Sequence, residues 1–191
     1  MFDIIPAILP KNKDDLVEKI LSLDGTVPLV HIDVLSETFA PKDLVLGIEF
    51  EAHPQLLSDP MPQAREWAQA GAKRIIIHAE DFESNEKLSA AIKELKEKAE
   101  VGLALKLETP IEKMFEHRGQ IDFVQLMAID QIGKQGEEFD PKILGKIKAL
   151  KEKFPTLIVS VDGGINDKNI HELALCGADR MVVGSAIFGK K

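Results

Sequence analysis

The chain has 191 residues, 45% of them hydrophobic and 29% charged, and a formal net charge of -8. That length suits one domain, 1–191, with a substantial core, and the acidic balance argues against nucleic acid as a partner, since that needs a basic patch. The lone Cys176 excludes an internal disulfide, Asp3 and Pro6 interrupt any leader-like start, and no apolar run is long enough to span a bilayer; a cytoplasmic protein without membrane contacts is expected.

Residues 2–9 are apolar and stop at Pro10, the pattern of a first strand. A helix follows over 13–23, with Leu16, Ile20 and Leu23 on one face. In Val30-His31-Ile32-Asp33-Val34 apolar and polar residues alternate, which is the period of a strand with two different faces. Residues 36–43 show no helical period, so the link to the next strand, 47–53, is short. Asp59-Pro60 opens a helix that ends at Gly71 and feeds a strand over 74–78. Ser84 or a neighbour starts the next helix, through Ala90, Ile92 and Leu95, followed by a strand over 101–107. Thr109-Pro110-Ile111-Glu112 has the form of a capping box and predicts another helix. A strand over 122–129 leads into a polar, glycine-bearing loop over 131–138. The remaining elements are a helix from Asp140-Pro141 to about Phe154, a strand over 157–162, a short helix over 166–175 and a last strand over 180–184.

Gly-Ala-X-Arg precedes an apolar strand twice, at Gly71-Ala-Lys-Arg74 and Gly177-Ala-Asp-Arg180, marking turns from helix to strand. Eight strands with helices between most of them favour an α/β fold closed into a (β/α)8 barrel over an open sheet. The chain is short for that fold, in which about 250 residues are typical. The shortfall is a reduced helix after strand 2 and after strand 8, since nothing fits between Phe188 and Lys191. The outer face of the last strand is then covered by a neighbouring element or by another subunit, and a homo-oligomer is expected.

Barrel enzymes carry their chemistry where strands end, and His31, Asp33, His53 and Asp162 belong at that level. Two imidazoles and two carboxylates suit one divalent ion per chain, such as zinc, iron, manganese or cobalt. His78 and Glu80 share a strand face and read equally as support for such a site or as a satisfied core pair. Lys106 ends the fifth strand, at the surface or against an anion. Val161-Asp162-Gly163-Gly164-Ile165 and Val183-Gly184-Ser185-Ala186 place glycines after two consecutive strands, where barrels of this kind often bind phosphate through backbone N–H groups.

In these residues the chain resembles the ribulose-phosphate 3-epimerase family, a (β/α)8 barrel of the ribulose-phosphate-binding class, over nearly its whole length. Ile5-Pro-Ala-Ile-Leu9 looks like the family's opening strand, His31-Ile-Asp-Val34 its metal strand and Glu51-Ala-His53 its third-strand ligand segment. Gly133-Lys-Gln-Gly136 looks like its phosphate-side loop, and the two glycine turns like its phosphate turns. The resemblance implies that His31, Asp33, His53 and Asp162 hold the metal, and that Asp33 and Asp162 double as the acid/base pair. It also implies that Met127, Gly133, Gly136, Gly163, Gly164, Gly184 and Ser185 face a small phosphorylated sugar, inverted at C3 by two-base proton transfer through an enediolate.

Departures from the family's pattern lie in the substrate shell. Ala7 stands where the family usually has serine, and Leu35-Ser36-Glu37 replaces Met-Asp-Gly. Pro54-Gln55-Leu56 lacks the methionine expected after the third-strand histidine, and Ala128-Ile-Asp-Gln-Ile-Gly133 lacks Asn-Pro-Gly-Phe. Met127 alone survives of the sulfur-rich cap. Two alternatives therefore stand beside a divergent epimerase. One is a non-catalytic or regulatory barrel that binds a phosphosugar. The other is a different enzyme of the superfamily, such as an aldolase or decarboxylase, although these show Asp-X-Lys-X-X-Asp and no lysine follows Asp33 here.

Overall fold

The computed structural model describes residues 2–23, 25–35, 47–134 and 136–189. Eight strands run parallel and close in sequence order, with β8 paired to β1: β1 (Asp3–Ile8), β2 (Leu29–Val34), β3 (Glu49–Pro54), β4 (Arg74–His78), β5 (Glu100–Leu105), β6 (Phe123–Met127), β7 (Ile158–Asp162) and β8 (Arg180–Val183). Around them lie α1 (Lys13–Ser22), α2 (Met61–Gln69), α3 (Asn85–Leu95), α4 (Lys142–Lys153), α5 (Ile170–Leu175) and α6 (Ser185–Phe188). The closed (β/α)8 barrel is the fold expected from the alternation of strands and helices. Among the described residues no helix is long and apolar enough to cross a membrane.

Local chemistry explains most of the boundaries. Asn12 accepts from the Asp15 N–H at 2.9 Å and starts α1, and Ser84 accepts from the Lys87 N–H at 3.3 Å and starts α3. Asp59 accepts from the Met61 N–H at 3.0 Å, while Pro60 occupies the cap position of α2. Leu88, Ala91, Ile92 and Leu95 of α3 are buried at helical spacing, as are Ile143, Ile147 and Leu150 of α4. They pack on the outward residues of the strands, Ile75 and Ile77, Val101, Leu103 and Leu105, Val124 and Leu126.

Two expectations are corrected. The capping box at Thr109 opens no α-helix: Ile111–His117 is a 3-10 helix with no side-chain cap. Only a few residues separate Pro110 from Gly119, too few to repay the cost of nucleating an α-helix, and 3-10 geometry serves such short pieces. The helix expected over 166–175 begins at Ile170, because Asn166 and Asn169 form a turn in which both donate to the Gly164 carbonyl at 3.0 Å. The reduced helix expected after strand 2 falls on 36–46, outside the described residues. After β8 only the four-residue α6 follows, yet Met181 and Val183 are buried in the main core with Phe188 packed against it. The outer face of β8 is thus covered within the chain, so a subunit contact is not required there.

The barrel interior is mixed. Ile76, Ala104 and Phe123 form a small cluster inside it, joined by Ile158, and the Arg180 guanidinium lies 4.8 Å from the Phe123 ring centroid. Gly102 makes room for that ring, since a Cβ on it would stand 2.3 Å from Phe123 Cζ. Because Arg180 and Ile76 hold the ring in place, Gly102→Ala should destabilise the protein by about 1–3 kcal/mol, read as a lower midpoint of denaturant unfolding. Pairing it with Phe123→Leu should restore part of the loss, and strictly additive effects would show that the ring is not the obstacle.

Candidate active site and metal centre

Register brings the site together. Asp33 of β2 lies beside His53 of β3, His31 lies beside Glu51, and Met127 of β6 lies beside Asp162 of β7. Nitrogen and oxygen atoms of His31, Asp33, His53 and Asp162 all fall within 4.8 Å of one another. His31 Nε2 is 3.3 Å from Asp33 Oδ1 and 3.9 Å from Asp162 Oδ2. His53 Nδ1 is 3.7 Å from Asp33 Oδ1 and 3.8 Å from Asp162 Oδ2. A tetrahedral ion with ligands at about 2.0–2.2 Å separates them by roughly 3.3–3.6 Å, so this set of two nitrogens and two oxygens fits one divalent cation. The sequence placed all four at strand ends. His31 in fact lies deeper, mid-strand in β2, and only its Nε2 reaches up to the carboxylates.

Both imidazoles are fully buried and gripped from behind. His31 Nδ1 is 2.8 Å from Glu51 Oε1, and Arg74 Nη1 donates to Glu51 Oε2 at 3.1 Å. Arg74 Nε also donates to Glu100 at 2.9 Å, so charges alternate from the barrel floor up to the site. His53 Nε2 is 3.0 Å from His78 Nε2, and the two rings stack with centroids 4.8 Å apart. His78 Nδ1 faces Glu80 Oε2 at 3.4 Å, and Glu80 Oε1 accepts from the Lys106 N–H at 2.9 Å. Of the two readings of His78 and Glu80, the structure favours support behind His53; Lys106 takes part through its backbone. Gln125 of β6, which sequence reasoning passed over, donates to Asp162 Oδ2 at 3.1 Å. Its signal was a polar residue amid the apolar run of β6.

These partners set the charges. Burial alone would lower the His31 imidazole, but the bonds and charges of Asp33 and Glu51 outweigh it and hold that ring well above its ordinary range. Burial pushes His53 down to about 4, with His78 and His31 repelling its proton against the pull of Asp33. Burial opposes ionisation of Asp33, yet His31 and His53 keep it far below the usual carboxylate range. Asp162 goes the other way: burial, helped by the charges of Asp33 and Glu51 and opposed by His31, raises it to about 7.

Above the cluster opens a cleft lined by Asp33, Asp162 and Met127 as well as Gly133, Gly136, Gly163, Gly164, Gly184 and Ser185. The seven residues expected to face a sugar phosphate therefore line one cavity with both aspartates, while the imidazoles lie beneath it. Ala7, Gln55 and Lys134 complete parts of the wall. Gly164 has a second constraint, since a Cβ there would stand 2.5 Å from the Phe139 backbone nitrogen at a φ of 64°. Packing alone demands that glycine, so the Gly-Gly pair does not by itself argue for an anion.

With the cluster free of metal, His31 carries a proton and Asp162 holds one below about pH 7. Zinc binding must displace both, because ligands bind deprotonated. Titration calorimetry in buffers of different ionisation heat should find protons released with each ion at pH 6, and fewer as the pH rises through about 7 and Asp162 ionises unaided. Proton-independent zinc uptake over that range would place the ion elsewhere.

The ribulose-phosphate 3 epimerase family model matches residues 3–188. Ribulose-phosphate 3-epimerase of Schizosaccharomyces pombe is 33% identical, over 83% of this chain and 74% of its own length. The enzyme of that name from Aquifex aeolicus is 29% identical, over 98% and 90%. Among solved structures, a KGPDC from Streptococcus mutans superposes with a TM-score of 0.75 at 17% identity, covering 100% of this chain and 91% of that one. 3-Hexulose-6-phosphate synthase from Salmonella typhimurium gives 0.71 at 17%, covering 98% and 90%. At such identities these two share the fold. With the family model spanning nearly the whole chain, the protein belongs to the ribulose-phosphate 3 epimerase family of isomerases.

Proposed function

We propose that the chain inverts C3 of a ketose phosphate, ribulose 5-phosphate to xylulose 5-phosphate or a close analogue, by proton transfer between Asp33 and Asp162. The observation that carries this reading is the pair of carboxylates on the floor of one cleft, delivered by β2 and β7 from different sides of the barrel mouth. Inversion beside a ketone requires breaking the C3–H bond on one face and forming it on the other. One aspartate takes the proton, the electron pair delocalises into the enediolate, and the second aspartate returns a proton to the opposite face. With a cation bound both carboxylates would be ionised, so each is available as a base and, once protonated, as the acid that returns the proton.

His31, Asp33, His53 and Asp162 would hold one zinc, iron, manganese or cobalt ion, and what that ion supplies when bound is positive charge beside the enediolate oxygens. The backbone at Gly163, Gly164, Gly184 and Ser185 would bind the phosphate, with Met127 packed near the reacting carbon. A cytoplasmic location fits a small phosphorylated substrate and the buried free thiol of Cys176. The altered wall at Ala7 and Gln55 favours a second reading, a barrel that binds the sugar phosphate without turning it over.

One experiment separates the two. In deuterated water the protein should introduce deuterium at C3 of D-ribulose 5-phosphate along with inversion. Asp33→Asn and Asp162→Asn should each lower the rate by at least about 10²–10⁴-fold, with metal content assayed alongside to separate lost ligation from lost proton transfer. Binding of pentulose and hexulose phosphates by the metal-loaded protein, with no exchange in any of them, would establish the non-catalytic reading.

A further inference from the structure

Gln55 follows β3 directly, and its neighbour Leu56 is the one non-glycine residue among those described with a left-handed backbone, at a φ of 59°. Leucine adopts that conformation only under strain, and strain of this kind is kept where it places a neighbour. Here it sends successive side chains apart. Leu56 is 57% exposed and reaches over Gly133, where a Cβ would come within 2.3 Å of Leu56 Cδ1. Gln55 turns inward and is 3% exposed, its backbone N–H tied to the Val34 carbonyl at 3.0 Å.

The two ends of the Gln55 amide fare differently. Nε2 donates to Asp33 Oδ1 at 2.5 Å. The carboxylate accepts only, so the amide must show it the nitrogen edge, and this fixes where the oxygen lies. That oxygen, Oε1, is buried and has no hydrogen-bond partner among the described residues. A buried acceptor left unpaired is costly, and native structures retain few of them. Gln55 lines the cleft with Asp33, Asp162 and Met127, so a donor can arrive there with a ligand.

We propose that Gln55 positions base and substrate together: its amide N–H holds the Asp33 carboxylate, and its carbonyl oxygen accepts a hydrogen bond from a hydroxyl of the bound sugar phosphate. The inference rests on the reading that this cleft takes a ketose phosphate. It adds a selection rule, preference for a hydroxylated carbon chain over an apolar one, which shape and phosphate contacts alone do not impose.

Ribitol 5-phosphate and n-pentyl phosphate test it, since neither has the ketone required for turnover and they differ in hydroxyls. Calorimetry on the metal-loaded chain should find ribitol 5-phosphate bound more tightly. Gln55→Met, similar in volume but lacking donor and acceptor, should weaken ribitol 5-phosphate about tenfold while leaving pentyl phosphate unchanged. An unchanged preference, or equal loss for both ligands, overturns the inference alone. A wild-type protein that binds neither overturns the reading of the cleft and the inference with it. Should the variant not fold, wild-type protein labelled with 15N-glutamine decides: the Gln55 side-chain signal should move with ribitol 5-phosphate and stay with pentyl phosphate, and any other pattern sinks the role.

Discussion

The Glu51 carboxylate, buried inside the barrel between Arg74 below and His31 above, is the constraint on which the site depends. An ionised carboxylate at 1% exposure is tolerable only when paired and hydrogen-bonded. Its two oxygens are divided: one meets His31 Nδ1 at 2.8 Å and the other Arg74 at 3.1 Å. Arg74 is balanced in turn by Glu100. The column crosses β2, β3, β4 and β5, and at its buried end removing His31 or Arg74 strands the Glu51 charge, a loss of about 3–5 kcal/mol for a buried pair. With its far nitrogen committed, the His31 ring can present only Nε2 upward.

His53 is held by a different kind of partner, and the contrast sets the chemistry. Behind His31 stands a carboxylate, which favours a proton on that ring. Behind His53 stands another imidazole, His78, which disfavours one. Two equally buried histidines, with centroids 5.4 Å apart, thereby take opposite protonation, one far above its usual range and the other near 4. The carboxylates divide too: hydrogen bonds from both rings keep Asp33 far below the usual range, while burial prevails at Asp162, which both rings approach less closely.

Alternation in Val30-His31-Ile32-Asp33-Val34 was enough to place a polar face inside the barrel, and the Gly71 and Gly177 turns marked passage from helix to strand at φ of 95° and 101°. Both are local signals, readable without partners. Glu51 as the grip on His31 was not readable, because that pairing exists only in the β2–β3 register. The same holds for Gln125, whose polar group looks misplaced in β6 until Asp162 arrives from β7. The Thr109 capping box misled because a cap needs room for a helix behind it. The Gly163-Gly164 turn carried two messages at once, since Phe139 claims Gly164 for packing.

The cluster and the wall of the cleft are built from different material, and this bears on how the substrate shell can diverge. His31, His53 and Asp162 are secured from inside the barrel by Glu51, His78 and Gln125, all buried and all on strands. The wall comes from strand ends and loops, Ala7 and Leu9 on one side and Gly133, Lys134, Gly136 and Glu137 on the other. Gln55 breaks that separation, because it belongs to the wall and yet holds Asp33. A change at that position alters the shape seen by a ligand and the orientation of a cluster oxygen together, so at Gln55 wall and floor vary as one.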